Sequence, residues 1–381
     1  MSSEEDDGIL PREGEEIQTK KEKYTTIRLI GRGGYGAVYE VIRNSDRKKF
    51  AVKCEKLAVR KKVLPMDCRV LRGAQQINSC HFCTIEDRGK VEERFIFIVM
   101  KLIGSNLWDL RVERESMRFT LNTALKAAEQ CLLCIEELHR MGFLHRDIKP
   151  GNFAIGRPET HENHIIFVLD FGLCRKYQEK DKDVRVPRDS APFRGTTRYA
   201  PIAAMKQLEQ SRKDDLEGWM YMVVEWTSGG LPWRKYKADN REEVLKMKED
   251  VKQSEAAMAY LYELTYFSIP DYNFVYYCIQ HACKANNIKQ TDPVDWDKDH
   301  EFNGPTGPPG DGKLVQLDDN EEDFEAMLKK QSMVKSKSKV SKRGTPQPDK
   351  PSGNRRMSLL KQSLVKHQAN PRPKSSSPSP A

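Results

Sequence analysis

Apolar and polar positions alternate in short runs through the first hundred residues of this chain, and beyond them apolar positions recur every three or four residues. Tyr24 to Ile30, Ala37 to Ile42 and Phe50 to Glu55 are β-rich runs separated by Gly, Asn and Asp, the pattern of an antiparallel meander. Phe95 to Met100 predicts another strand. Then Leu121, Leu125, Ala128, Leu132, Ile135 and Leu138 fall on one face of a long helix. Asp214 to Thr227 and Ala256 to Phe267 predict further helices rich in large apolar residues. Strands first and helices afterwards make an α+β fold, with a small β-rich lobe and a larger helical one.

Both ends of the chain break the pattern. Residues 1–23 hold eight acids, four bases and almost no large apolar side chain, which predicts a disordered acidic leader. Past His300 come EFNGPTGPPGDGK, the acidic patch Asp318 to Glu325 and a basic, Pro/Ser-rich end, so 301–381 is expected to be disordered. The folded part is then 24–300, divided into a lobe at 24–100, a connection at 101–103 and a lobe at 104–300. A mean hydropathy of −0.72 over 381 residues accords with unfolded ends.

Charge sharpens this division. Of the net +9, residues 326–381 supply 14 Lys and Arg against Asp349 alone, whereas 24–325 is neutral. A basic nucleic-acid-coating domain is thereby excluded, and an acidic partner, microtubule-like, nucleic acid or membrane, is confined to the tail around Lys335 to Arg343. No apolar run is long enough to cross a bilayer, and MSSEEDDG lacks the apolar core of a signal peptide. Nine cysteines, an odd number, fit free thiols in a reducing compartment. The expected location is the cytoplasm, with nuclear import through Lys335 to Arg343 as the alternative. Cys80/Cys83 and Cys131/Cys134 have zinc-like spacing, but the second pair lies in the helix stripe, so no zinc is expected.

Four stretches carry candidate chemistry. Gly31, Gly33 and Gly36 form G-x-G-x-x-G, and AVYEVI after them reads as a strand, so the loop joins two strands and covers a nucleotide from above. An ordinary Gly-rich hairpin has the same glycines. Seventeen residues on, Lys53 sits inside an apolar strand, either as an edge lysine or as an ammonium aimed at phosphates. HRDIKPGN brings Asp147, Lys149 and Asn152 together: a carboxylate to accept a hydroxyl proton, a cation for phosphoryl charge and an amide oxygen for a divalent cation. HIIFVLDFG adds Asp170 at a strand end as a second metal ligand.

With these motifs in this order, the chain resembles the eukaryotic protein kinases over Tyr24 to Asp297. The resemblance implies a bilobal fold and transfer of the γ-phosphoryl group of Mg-ATP to protein Ser or Thr, since Lys149 follows Asp147 by two. It implies ATP contacts at Ile30, Gly31, Arg32, Gly33, Gly34, Tyr35, Gly36, Ala37, Val38, Ala51, Lys53, Asp67, Met100 and Leu102, with Mg2+ on Asn152 and Asp170. Thr196 would bond the catalytic Asp147 and Lys149, and Asp215 would support their loop. YAPIAA, RKDDLEGWMYM, GLPWRK, LTYFSIPDY and TDPVDWDK are similar to the casein kinase I superfamily, and most of all to tau-tubulin kinases. That likeness implies a monomer whose Arg198 and Lys237 receive an acidic or phosphate-primed substrate. One departure stands out. Asp67, two residues after Pro65, replaces the family's glutamate partner of Lys53, which predicts a less well oriented lysine and leaves a pseudokinase scaffold as the alternative.

Overall fold

The computed structural model describes residues 8–317, apart from 35, 180, 237–239 and 255. Strands β1 (Glu16–Gln18), β2 (Lys23–Arg32), β3 (Gly36–Arg43), β4 (Lys49–Lys56), β5 (Ile85–Val91) and β6 (Phe95–Lys101) form one antiparallel sheet in the order β1-β2-β3-β4-β6-β5. The three runs of the predicted meander are β2, β3 and β4. β6 pairs with β4 because helix α1 (Leu64–Gln76) and β5 intervene. Val41, Val52, Phe97 and Val99 are fully buried within this lobe.

The larger lobe is helical. It contains α2 (Leu107–Val112), α3 (Leu121–Arg140), two small strand pairs made by β7 (Phe143–Leu144), β8 (Phe153–Ile155), β9 (Ile166–Val168) and β10 (Arg175–Lys176), and then α4 (Ile202–Met205) and α5 (Arg212–Ser228). α6 (Arg241–Ser254), α7 (Ala256–Glu263) and α8 (Tyr272–Ala285) complete it. α3 starts where the Thr120 side chain accepts the Thr123 N–H, and it ends on Arg140, a cation favourable at a C-terminus. Its predicted stripe is buried from Leu125 to Leu138, while Leu121 in the first turn is exposed. α5 opens with a capping box between Ser211 and Asp214, which sets Asp215 in its first turn.

Two expectations of disorder need correction. Within 1–23, β1 pairs with β2 in register Ile17↔Tyr24, and Leu10 and Ile17 are buried. An edge strand of three residues needs few apolar side chains, because main-chain bonds such as Gly14 N–H to Thr26 O (2.9 Å) hold it. Within 301–381, residues up to 317 strap across α3. Phe302 is buried against His164, with ring centroids 5.3 Å apart. Gly307 N–H donates to Glu129 (2.9 Å), Gly312 N–H to Glu136 (3.2 Å) and Val315 N–H to Arg140 O (2.9 Å). Two buried carboxylates on α3 thus supply what the Gly/Pro-rich composition lacks, and burial lifts the Glu136 carboxyl to about 7. The basic stretch Lys335 to Arg343 lies outside the described residues. Among those described, no helix is long and apolar enough to cross a membrane.

Candidate active site

A cleft of about 710 Å³ separates the two lobes. β2, β3 and the turn between them roof it, with Ile30, Gly31, Arg32, Gly33, Gly34, Gly36, Ala37 and Val38 on its lining. The loop does join two strands, and Gly33 N–H donates to Gly36 O at 2.9 Å. Gly36 has a steric reason: a Cβ there would lie 1.8 Å from Cys54 O on β4, whereas one on Gly31, Gly33 or Gly34 would meet nothing. Ala51, Met100 and Leu102 line the inner and connecting side. Tyr35 lies outside the described residues. The floor was not legible beforehand: Ala154, Val168 and Leu169 from β8, β9 and the turn after β9.

Lys53 reaches into this cleft from β4. Its Nζ lies 2.8 Å from Asp67 Oδ1 and 3.1 Å from Asp170 Oδ1. Burial pulls the ammonium pKa down, but the two carboxylates outweigh it and hold the group protonated; Lys53 in turn holds Asp170 below the usual carboxylate range. The shorter Asp67 therefore does close the pair. Pro65 sits in the first turn of α1, where its missing N–H costs nothing. The cap comes from elsewhere: the Glu55 carboxylate on β4 accepts Val63 N–H (2.9 Å) and Leu64 N–H (2.6 Å). That tie draws α1 onto the sheet, and Phe171 N–H donates to Asp67 Oδ1 at 3.1 Å from the other side. No local signal marks Glu55 as a cap, because the two partners are eight and nine residues away.

Below the cleft, the loop from His145 to Asn152 is one hydrogen-bonded knot. Lys149 Nζ donates to Asp147 Oδ2 at 2.6 Å and Thr196 Oγ1 to Asp147 Oδ1 at 3.0 Å. Gly195 allows the approach of Thr196: its φ is +99°, and a Cβ would crowd Arg146 O at 3.0 Å. Asn152 Nδ2 donates to Asp147 O at 2.8 Å, leaving the amide oxygen as the atom available to a cation. Leu169 N–H bonds Asn152 O at 2.8 Å, which puts Asn152 next to Asp170 in the chain pairing. One amide oxygen and one half-exposed carboxylate are hard oxygen donors that fit Mg2+, an ion that keeps water and phosphate oxygens in its shell.

Asp215 underpins the loop. It accepts His145 N–H (2.7 Å) and Arg146 N–H (2.8 Å), and His139 Nε2 lies 2.9 Å away. Arg146 (φ 66°) and Asp170 (φ 61°) both occupy the left-handed region, at a cost of about 1–3 kcal/mol each that such bonds must offset. Burial lowers the His139 pKa, so the neutral ring donates to Asp215 and accepts from Tyr272 Oη at 2.6 Å. Burial opposes ionisation of Asp215, but the bonds from His139 and Arg146 outweigh it and hold the carboxyl low. Its contribution to stability is therefore complete above the ordinary value near 3.8 and is lost as pH falls through the lower folded one. Asp215→Asn, which sets an amide among three N–H donors, is expected to lose about 3 kcal/mol of unfolding free energy at pH 7, measured by urea titration. A loss under 0.5 kcal/mol, roughly the scale of a surface substitution, would refute the supporting role.

This assembly matches a known pattern. Residues 24–285 match the protein kinase domain. The chain belongs to the protein kinase family. The kinase is 32% identical over 286 residues to a probable serine/threonine-protein kinase of Dictyostelium discoideum, covering 73% of this chain and 57% of that one. It is 31% identical over 314 residues to the serine/threonine-protein kinase spe-6 of Caenorhabditis elegans, covering 78% of this chain and 82% of that one. A putative serine/threonine-protein kinase of the same worm is 29% identical over 296 residues, covering 74% and 84%.

Of the expected substrate-anion pair, Arg198 is among the described residues. Arg198 donates to Glu225 Oε1 at 3.0 Å and to Arg234 O at 3.3 Å, and its guanidinium lies 5.3 Å from the Trp108 ring centroid. Glu225 thus answers much of its charge, and Lys237 lies outside the described residues.

Proposed function

We propose that this chain is a serine/threonine protein kinase that transfers the γ-phosphoryl group of ATP to a protein hydroxyl. The observation that carries this reading is the knot around Asp147. Both carboxylate oxygens are fixed, one by Lys149 and one by Thr196, yet an ionised carboxylate has about four acceptor positions, so capacity remains for a substrate hydroxyl. Asp147 orients that hydroxyl and accepts its proton as the bond to phosphorus forms. Lys149, held at Asp147, offers its remaining N–H donors to the transferred group. Lys53, positioned by Asp67, meets the phosphates that stay on the nucleotide. Mg2+ held by Asn152 and Asp170 supplies charge neutralisation on the phosphates when bound. The cleft's apolar wall of Ile30, Val38, Ala51 and Leu102 receives the adenine.

The finer reading places the kinase with the casein kinase I superfamily, nearest tau-tubulin kinases, as a cytoplasmic monomer. RKDDLEGWMYM and GLPWRK support it. In this reading Arg198 and Lys237 favour an acidic or phosphoserine-primed site. Arg198 shares its charge with Glu225, so the expected preference in kcat/KM is modest, about tenfold for primed over neutral serine peptides, corresponding to one charge-assisted hydrogen bond. Arg198→Ala should erase that preference and leave transfer to the neutral peptide unchanged. Equal rates on both peptides with the wild-type chain would remove the pocket while leaving the kinase reading intact.

A further inference from the structure

Thr196, whose hydroxyl bonds the Asp147 carboxylate, opens the segment 196–202. A peptide whose hydroxyl reaches Asp147 has to lie against the residues next to Thr196, so what holds this segment bears on how the peptide is held. Within it, Tyr199 N–H (3.0 Å) and Ala200 N–H (2.9 Å) both converge on Thr196 O. Further support comes from other elements. Lys248, on α6, is wholly buried, and its Nζ donates to Thr197 O at 3.0 Å and to Ala200 O at 2.5 Å. Trp233, between α5 and α6, donates from Nε1 to Arg198 O at 2.8 Å. On α5, Glu217 accepts Ile202 N–H at 2.8 Å and Glu225 accepts the Tyr199 hydroxyl. The carbonyls of 197, 198 and 200 are thus all held by side chains from outside the segment.

A buried ammonium is unfavourable unless its surroundings answer it. Around Lys248 they are aromatic faces: Nζ lies 4.7 Å from the Tyr221 ring centroid and 5.1 Å from that of Trp233. The two rings meet edge to face with centroids 5.1 Å apart, and Tyr221 Oη donates to Glu217 Oε1 at 2.7 Å. Burial pulls the Lys248 pKa down while Glu217 opposes it, and even a neutral amine keeps two N–H donors, one for each carbonyl. A methionine would fill the same space without the desolvation cost. The two carbonyl bonds are what the amine alone supplies.

We propose that Lys248, with Trp233 beside it, is a positioning residue for the protein substrate, fixing the main chain of 197–200 against which the peptide lies. Neither residue lines the nucleotide cleft, so the effect falls on the peptide and not on ATP. The inference rests on the kinase reading, which supplies the substrate.

Lys248→Met in the full chain tests it by two measurements. In amide hydrogen exchange read by mass spectrometry, 196–202 should exchange at least about tenfold faster than in wild type, with α3 unchanged. In steady-state assays KM for a serine peptide should rise about tenfold while KM for ATP stays within about twofold, since misplacement by about 1 Å can cost up to about a hundredfold. Trp233→Phe keeps a ring over Lys248 but loses the bond to Arg198 O, and should move both readouts the same way by less. It carries the test should Lys248→Met fail to fold. Wild-type exchange over 196–202 in whichever variant folds overturns the proposal and leaves Lys248 a packing residue. So does a rise in KM for peptide and ATP together. The exchange measurement needs no phosphoryl transfer, so a wild-type chain without activity would sink the kinase reading while exchange still decides whether Lys248 holds the segment.

Discussion

Asp147→Asn is expected to lower kcat by about 10²–10⁴-fold while leaving ATP affinity within about twofold. The asymmetry follows from where Asp147 sits. It contacts Lys149 and Thr196, which do not line the nucleotide cleft, and Asn152, which does, but none of the residues that roof that cleft. An asparagine there keeps the shape and one acceptor but can no longer take a proton, and its amide nitrogen meets donors from Lys149 or Thr196. Steady-state transfer to a serine peptide, alongside a fluorescent nucleotide titration, separates the two parameters. Undiminished transfer in the variant would strip Asp147 of its role.

The second large effect concerns Asp67, and it separates an intact site from a compromised one. Asp67→Ala leaves the half-buried Lys53 with Asp170 alone and removes the acceptor for Phe171 N–H, so kcat/KM for ATP should fall about a hundredfold. Asp67→Glu, which restores the residue usual in the family, is expected to give no gain. The carboxylate is already 2.8 Å from Lys53 and its residue is only 3% exposed, so an added methylene must push α1 outward against the Glu55 cap. Overpacking of this kind costs about 1–3 kcal/mol. A tenfold rise in kcat/KM for Asp67→Glu would show that the natural pair is weak and would favour the scaffold alternative.

The legible parts of the molecule were those encoded by local periodicity. β2, β3, β4, β6, α3 and α5 could be read because their apolar spacing records which face is buried, and the glycine loop because a strand follows it. β5 escaped notice: IEDRGKV is polar on most positions, as suits an outer strand, and its pairing with β6 depends on its neighbour. Asp67 was located but its geometry was not, since the reach of a side chain depends on where its helix sits. Glu55, on another element, decides that. The same blindness explains the ordered residues before Tyr24 and after His300. Leu10, Ile17 and Phe302 are too few to make a pattern, and the acceptors Glu129 and Glu136 lie far from the N–H groups they receive. Arg198 shows the converse, since a motif position does not reveal that Glu225 already engages it.

The most direct test of the central claim is phosphoamino-acid analysis after incubating the full chain with Mg2+, ATP labelled on its γ-phosphate and a mixed Ser/Thr/Tyr peptide pool. Label is expected on phosphoserine or phosphothreonine, dependent on added Mg2+ and absent from a parallel reaction with Asp147→Asn. A folded wild-type chain that binds ATP and yields no labelled serine or threonine would contradict it.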